Sequence, residues 1–285
     1  MIMEISINGK SADIVLEAEK NIGDVLSCLE HWLAGSGNRL SGLTIDGLET
    51  GIAALDEVMG RELEGINNLD IKISSWDELA MEALLNLKET CTLYGNSVFD
   101  SRSEIRSRWD QSPAAAFISA EIKELHELIN HSFDGEGLST RDLEIIVEER
   151  LRELSDPKKE IINMEKPISE IARRLEELPL DIQTGKDSRA AETIQLFSKT
   201  GEKLFRFLNL FKNWGILCDS FNIDGLTAKD FLGDFSSILG ELTTAYGNQD
   251  TVLVGDLAEY ELAPRLLKLF STLKNTLLEE AGETS

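Results

Sequence analysis

Near Ser75 the period of the apolar residues changes from two to between three and four, and this switch constrains the fold more than any other feature. Before it, short β-rich runs surround one helical stretch: MEISIN (3–8), ADIVLE (12–17), Ile22 to Leu33, RLSGLTI (39–45) and NLDIKIS (68–74). After it, every long segment repeats its apolar residues at helical spacing. The pattern predicts an α+β chain, with a small head over residues 1–74 and a large acidic helical bundle over residues 75–285.

A chain of 285 residues accommodates two domains with separate cores. It carries 52 acidic against 28 basic residues, a net charge of −24, with no block of five or six like charges. A field of that sign repels phosphate backbones and anionic lipid, so neither nucleic acid nor a membrane is expected as a partner. The opening MIMEISING lacks the basic and apolar regions of a signal peptide, and no run of about 18 apolar residues offers a span. Cys28, Cys91 and Cys218 are odd in number, far apart, and each on or beside an apolar stripe. Reduced thiols in a cytoplasmic protein fit that arrangement.

In the head, Met3, Ile5 and Ile7 alternate with polar residues, and Asn8-Gly9 marks a hairpin turn. Asn21 is a good N-cap for a helix bearing Ile22, Val25, Leu26, Leu29 and Leu33 on one side. Asp46-Gly47 turns the chain after the third strand, and a short helix over Ala53–Met59 precedes a last strand in which Leu69, Ile71 and Ile73 alternate. The order ββαβ, short helix, β, with the opening EISINGKSADIV, resembles the β-grasp fold of ubiquitin and the small sulfur carriers. That resemblance implies a carrier only where the chain ends in a free Gly-Gly tail. Here Ile73-Ser74-Ser75-Trp76 runs directly into a helix, so carrier chemistry is excluded and a docking role remains.

The body reads as six or seven helices. Ser75 caps the first, with Trp76, Leu79, Ala80, Ala83, Leu84, Leu87, Cys91 and Tyr94 as its stripe. The polar stretch from Gly95 to Gln111 reads as a loop, and Ser112-Pro113 opens a helix lined by Phe117, Ile118, Ile122, Leu125 and Ile129. Pro167 is expected to kink or restart a helix that ends before Pro179. The strongest helix runs from about Asp187 to Leu217. Ile194, Phe197, Gly201, Leu204, Leu208 and Phe211 form one seam on it; Leu196, Phe207, Leu210 and Trp214, with Phe205 nearby, form a second. So wide an apolar surface is expected to be covered on two sides at the centre of a bundle, with an aromatic groove open to a partner helix as the alternative. Gly201 in the seam would admit another backbone. Helices over Thr227–Tyr246 and Thr251–Glu280 complete the body, the last kinked at Pro264.

No constellation carries a known chemistry. His126 and His131 are five apart, with no companion Cys or Glu at metal-ligand spacing, so neither metal nor cofactor is expected. Asp134-Gly135-Glu136-Gly137 lacks the oxygen ligands of a calcium loop and reads as a turn. Thr184-Gly185-Lys186-Asp187 echoes the end of a P-loop without its first glycine or its strand; Thr184 or Asp187 capping the long helix explains it better. No catalytic residue is assigned. Asp256, Glu259 and Glu261 beside Tyr260 are the one acidic group suited to a basic partner segment.

The chain therefore reads as a non-enzymatic cytoplasmic interaction protein: an adaptor, scaffold or assembly chaperone whose expected partner is another protein that carries basic or amphipathic helical segments, with a homo-oligomer also possible. The candidate partner-binding residues are Phe205, Phe207, Leu210, Trp214, Asp256, Glu259 and Tyr260. The alternatives are an enzyme or nucleotide-binding protein with a site between head and body, and a structural subunit of a homo-oligomer.

Overall fold

Two short turns, each with both residues in the left-handed region, set the registers of the head: Asn8-Gly9 (φ 50° and 74°) and Asp46-Gly47 (φ 49° and 88°). Only Gly, Asn and Asp adopt that conformation readily, and it matches the twist of the paired strands. The structure is a computed structural model and describes residues 3–12, 14, 16, 18–51, 54–217 and 221–279. The chain divides into two compact units, Met1–Ser155 and Asp156–Ser285.

The first unit opens with a mixed five-stranded sheet of β1 (Glu4–Ile7), β2 (Lys10–Ser11), β3 (Asn38–Ile45), β4 (Leu48–Gly51) and β5 (Asn68–Ser75), in the order β2-β1-β5-β3-β4. β1 and β5 are parallel; every other pairing is antiparallel. Helix α1 (Ile22–Ser36), opened by an Asn21–Asp24 capping box, connects β2 to β3, and α2 (Leu55–Met59) precedes β5. Ile5, Ile22, Val25, Leu26, Leu43, Ile45, Leu69 and Ile71 form the buried core of this layer. The arrangement is compatible with a β-grasp-like head. Strand β4 was not apparent from the sequence: LETG has no apolar alternation, and its Leu48 is exposed at the sheet edge. The strand expected over 12–17 lies partly outside the described residues.

Ser75 is at once the last residue of β5, paired with Asn38, and the N-cap of α3 (Trp76–Asn96). Its hydroxyl accepts from the Glu78 N–H at 3.1 Å, and the Glu78 carboxylate accepts from the Ser75 N–H at 2.9 Å. Then follow α4 (Phe99–Asp110), α5 (Pro113–Glu121), α6 (Lys123–Asp134) and α7 (Thr140–Ser155), with α3 packed against α5 and α7. The polar stretch expected as a loop is thus helical. It buries Trp109 and lays Arg102 and Arg106 against aromatic rings of α3 and α6. The helix expected across Ile122 breaks there, at φ −133° and ψ 62°.

The second unit comprises α8 (Pro157–Asn163), α9 (Glu165–Gln183), α10 (Asp187–Asn213), a two-strand ribbon of β6 (Asn222–Ile223) and β7 (Leu226–Thr227), α11 (Ala228–Gly247), α12 (Thr251–Asp256), a π-helical turn (Leu257–Leu262) and α13 (Ala263–Glu279). From α3 onward the described residues hold eleven α-helices, more than the six or seven expected, because α4 occupies the stretch expected as a loop and because Ile122 and the π-turn divide runs read as continuous; the break expected at Pro167 falls at Met164. Helix α9 passes through Pro179 rather than ending before it. No side chain caps α10: Lys186 stands at the N-cap and Asp187 lies in the first turn. Gly201 admits no close neighbour, since no described atom lies within 4 Å of where its Cβ would be. The close approach is at Gly255, where an added Cβ would meet the Pro179 ring at 2.9 Å.

Gly255→Ala is therefore expected to cost about 1–3 kcal/mol by overpacking, whereas Gly240→Ala, at an exposed position of α11, should gain about 0.4–1 kcal/mol; urea unfolding of the two variants measures both. In the head, the Asn68 and Asn67 N–H groups hold the Asp46 carboxyl below its ordinary range. A depressed carboxyl contributes stability above its unfolded pKa of about 3.9, and loses it as pH falls through the lower folded value. Asp46→Asn should flatten that acid limb of the stability profile, read by denaturation between about pH 5 and pH 2.

Candidate functional site

The aromatic seam of α10 divides when the neighbouring helices are in place. Phe207 is fully buried (0% exposed) and Leu210 is buried, so both belong to the core of the second unit. Phe211 is buried beside the half-buried Trp214, their ring centroids 5.9 Å apart. Phe205 lies at the surface, with its ring 6.3 Å from that of Phe235 in α11. An open aromatic groove along this seam would need Phe207 and Leu210 uncovered.

The acidic group near Pro264 has a different setting. Proline has no N–H to donate to the Tyr260 carbonyl, and the backbone widens one turn earlier, the Ala263 N–H donating to Ala258 five residues back. Such π-turns are frequent at functional sites. Along this run Leu253, Asp256, Tyr260 and Leu267 recur at steps of three, four and seven residues, and all four are exposed, Tyr260 at 64%. Glu259 is half-buried beside Tyr260, and its hydrogen bond to the phenol raises the Tyr260 pKa. Glu261 pairs with Arg265. Among the described residues, neither Asp256 nor Glu259 has an ion pair. The result is a solvent-facing apolar stripe with uncompensated acid along it. A smaller apolar pocket of about 270 Å³ opens at the start of this run, lined by Ile182, Ala190, Ile194, Tyr246 and Val254.

In the first unit, residues the sequence did not assign line a cleft of about 1000 Å³ between the ends of α3, α4, α6 and α7. Tyr94 and Phe133 stack at 4.5 Å, and the Tyr94 hydroxyl donates to the Phe133 carbonyl at 2.8 Å. The Arg102 guanidinium lies 5.2 Å above the Tyr94 ring and that of Arg106 lies 5.5 Å from Phe133. The Arg-Ser repeat of SRSEIRSR was the only signal of this cleft in the sequence. Its meaning depends on Tyr94 and Phe133, which lie on other helices.

The other candidates stay dispersed. His126 contacts Asn130 at 3.2 Å, and no group of three or more potential metal ligands occurs among the described residues. Cys91 is buried in α3, which pushes its thiol pKa up to about 12; Cys28 is exposed, and Cys218 lies outside the described residues. No helix among the described residues is long and apolar enough to cross a membrane.

Comparison with known families gives two matches, one in each unit. Residues 3–75, ending where β5 ends, match the family described as the TP0873 N-terminal domain. Residues 160–272, from α8 into α13, match a domain of unknown function, DUF8042. No curated protein and no solved structure matches the chain.

Substitutions separate the two settings. Phe207→Ala is expected to cost about 3–5 kcal/mol, and Tyr260→Ala less than about 0.5 kcal/mol, in chemical denaturation of the full chain.

Proposed function

We propose that this chain is a non-enzymatic cytoplasmic interaction protein, an adaptor, scaffold or assembly chaperone, whose second unit receives a basic amphipathic helix of a partner protein along the Leu253–Leu267 face. The exposed stripe of Leu253, Tyr260 and Leu267, with Asp256 and Glu259 along it and in no ion pair among the described residues, carries this reading. Aromatic anchors among apolar neighbours are the usual energetic centres of interfaces. The net charge of −24 favours a basic partner and speeds its encounter. A ubiquitin-like reading of the head belongs to the same proposal. Its sheet order and single crossing helix support that reading, and domains of this kind serve as docking heads.

Affinity capture from native extract, read by mass spectrometry, compares the wild-type chain with a Tyr260→Ala/Leu267→Ser variant of unchanged circular dichroism. The wild type should retain one stoichiometric protein, released by raised salt, and the variant should bind it at least about 30-fold more weakly. Equal retention by both chains, or a blank from the wild type, overturns the proposal. A wild-type mass that rises with concentration and falls in the variant would assign the face to a second copy instead.

A further inference from the structure

We propose that the cleft of the first unit binds a small organic anion, its phosphate or carboxylate group held by Arg102 and Ser132. Two independent observations converge on it. The first is an unspent cation. Arg106 gives its guanidinium to Asp110, Asp134 and Asn130, and Arg108 pairs with Glu104. Among the described residues Arg102 has neither an ion pair nor a hydrogen bond; its Nε is buried without a partner, and its guanidinium lies over the face of Tyr94. A guanidinium fixed over a ring presents its fork of N–H donors in one plane, the geometry that carboxylate and phosphate oxygens accept bidentately.

The second is an orphaned hydroxyl. Serines inside helices commonly donate to the carbonyl four residues back, as Ser155 and Ser169 do here. Ser132, in α6, does not. It is 5% exposed, lines the cleft, and its Oγ has no partner. A buried hydroxyl without a partner is unfavourable unless something supplies one. An anion held by Arg102 would accept from it.

The surroundings define the rest of the ligand. Gly135 and Gly137 leave the wall without side chains, and Ser103, Ser139 and Thr140 add polar groups. The volume of about 1000 Å³ far exceeds one oxyanion, and Leu138 and Phe133 offer apolar contact to an organic body. Two carboxylates also face the cleft. Asp134 is neutralised by Arg106, while Asp100 is exposed and without an ion pair among the described residues, which disfavours ligands of high negative charge. The site is separate from the Leu253–Leu267 face, and the two proposals stand or fall independently.

Thermal unfolding of the full chain with inorganic phosphate, glucose 6-phosphate, gluconate or neutral glucose, at ionic strength fixed with sodium chloride, tests this. The constant salt matters because added ions relieve the self-repulsion of an acidic chain whether or not they bind. At least one of the two sugar anions should raise the melting temperature by about 3–5 °C at saturation, and glucose should not. Arg102→Gln should abolish the rise and Ser132→Ala should reduce it. Whichever of the phosphate and the carboxylate acts identifies the group recognised. No rise above the chloride control, or an equal rise in Arg102→Gln, overturns the assignment. Should either variant fail to fold, amide chemical shifts of the wild type decide: perturbation at Ser132, Gly137, Ser139 and Thr140 supports the site, and perturbation confined elsewhere overturns it.

Discussion

Strand β5 is the element on which the first unit depends. It is paired on both sides, parallel to β1 and antiparallel to β3, and contributes the fully buried Leu69 and Ile71 to the core. Its last residue then caps α3, while the Trp76 N–H donates to the Gly37 carbonyl at 3.3 Å. No linker separates sheet from helix. The direction in which α3 leaves is set by the same hydrogen bonds that close the strand, and α3 carries Trp76 and Cys91 into the helical core and Tyr94 to the cleft. A capping box is worth about 1–2 kcal/mol in isolation. At this junction it also holds an orientation, so its loss would spread into both layers.

The second unit is organised by apolar packing, with its cations largely committed to its own carboxylates. Arg173 and Arg174 pair with Glu170, Arg189 with Glu177 and Asp181, Lys203 with Glu160, Lys268 with Asp224 and Lys274 with Glu165. Pairs exposed on both sides, such as Arg173–Glu170 and Lys268–Asp224, each contribute little to stability. Their collective effect is to leave surplus acid without an ion pair among the described residues, as at the exposed Asp256 and the half-buried Glu259. Meanwhile α9 and α12 approach closely enough that a glycine meets a proline ring, a contact made by the absence of a side chain.

Much of the head was legible because its signals are local. Alternation at Met3, Ile5 and Ile7 and the Asn-Gly and Asp-Gly turns each need only neighbouring residues to act. Strand β4 was not, since its pairing is imposed by a turn and by β3 rather than by its own pattern. Helix α4 was not, because its sequence is polar and its anchors, Tyr94 and Phe133, lie on other helices. Composition drew attention to Tyr260 and its acidic neighbours, but exposure depends on packing. The α10 seam was similarly visible as apolar surface, yet only α11 and its neighbours determine that Phe207 is covered while Phe205 is not. The cleft is assembled from three stretches of chain, around 94, 100–106 and 132–140, none of which is distinctive alone.

Asn8 has an effect beyond its turn. Its amide donates to the Ile73 carbonyl at 2.9 Å and accepts from the Ile73 N–H at 3.0 Å, so a side chain replaces a peptide group where β1 has already turned away. The ladder beside β5 continues for one more rung without main chain to supply it. A foreign strand seeking unpaired backbone finds that stretch occupied. Among the described residues, the outer strands of the sheet offer the two residues of β2 and the four of β4. The head thereby protects β5, one of its two eight-residue strands, from edge-to-edge aggregation, and the Asn8 amide provides part of that protection.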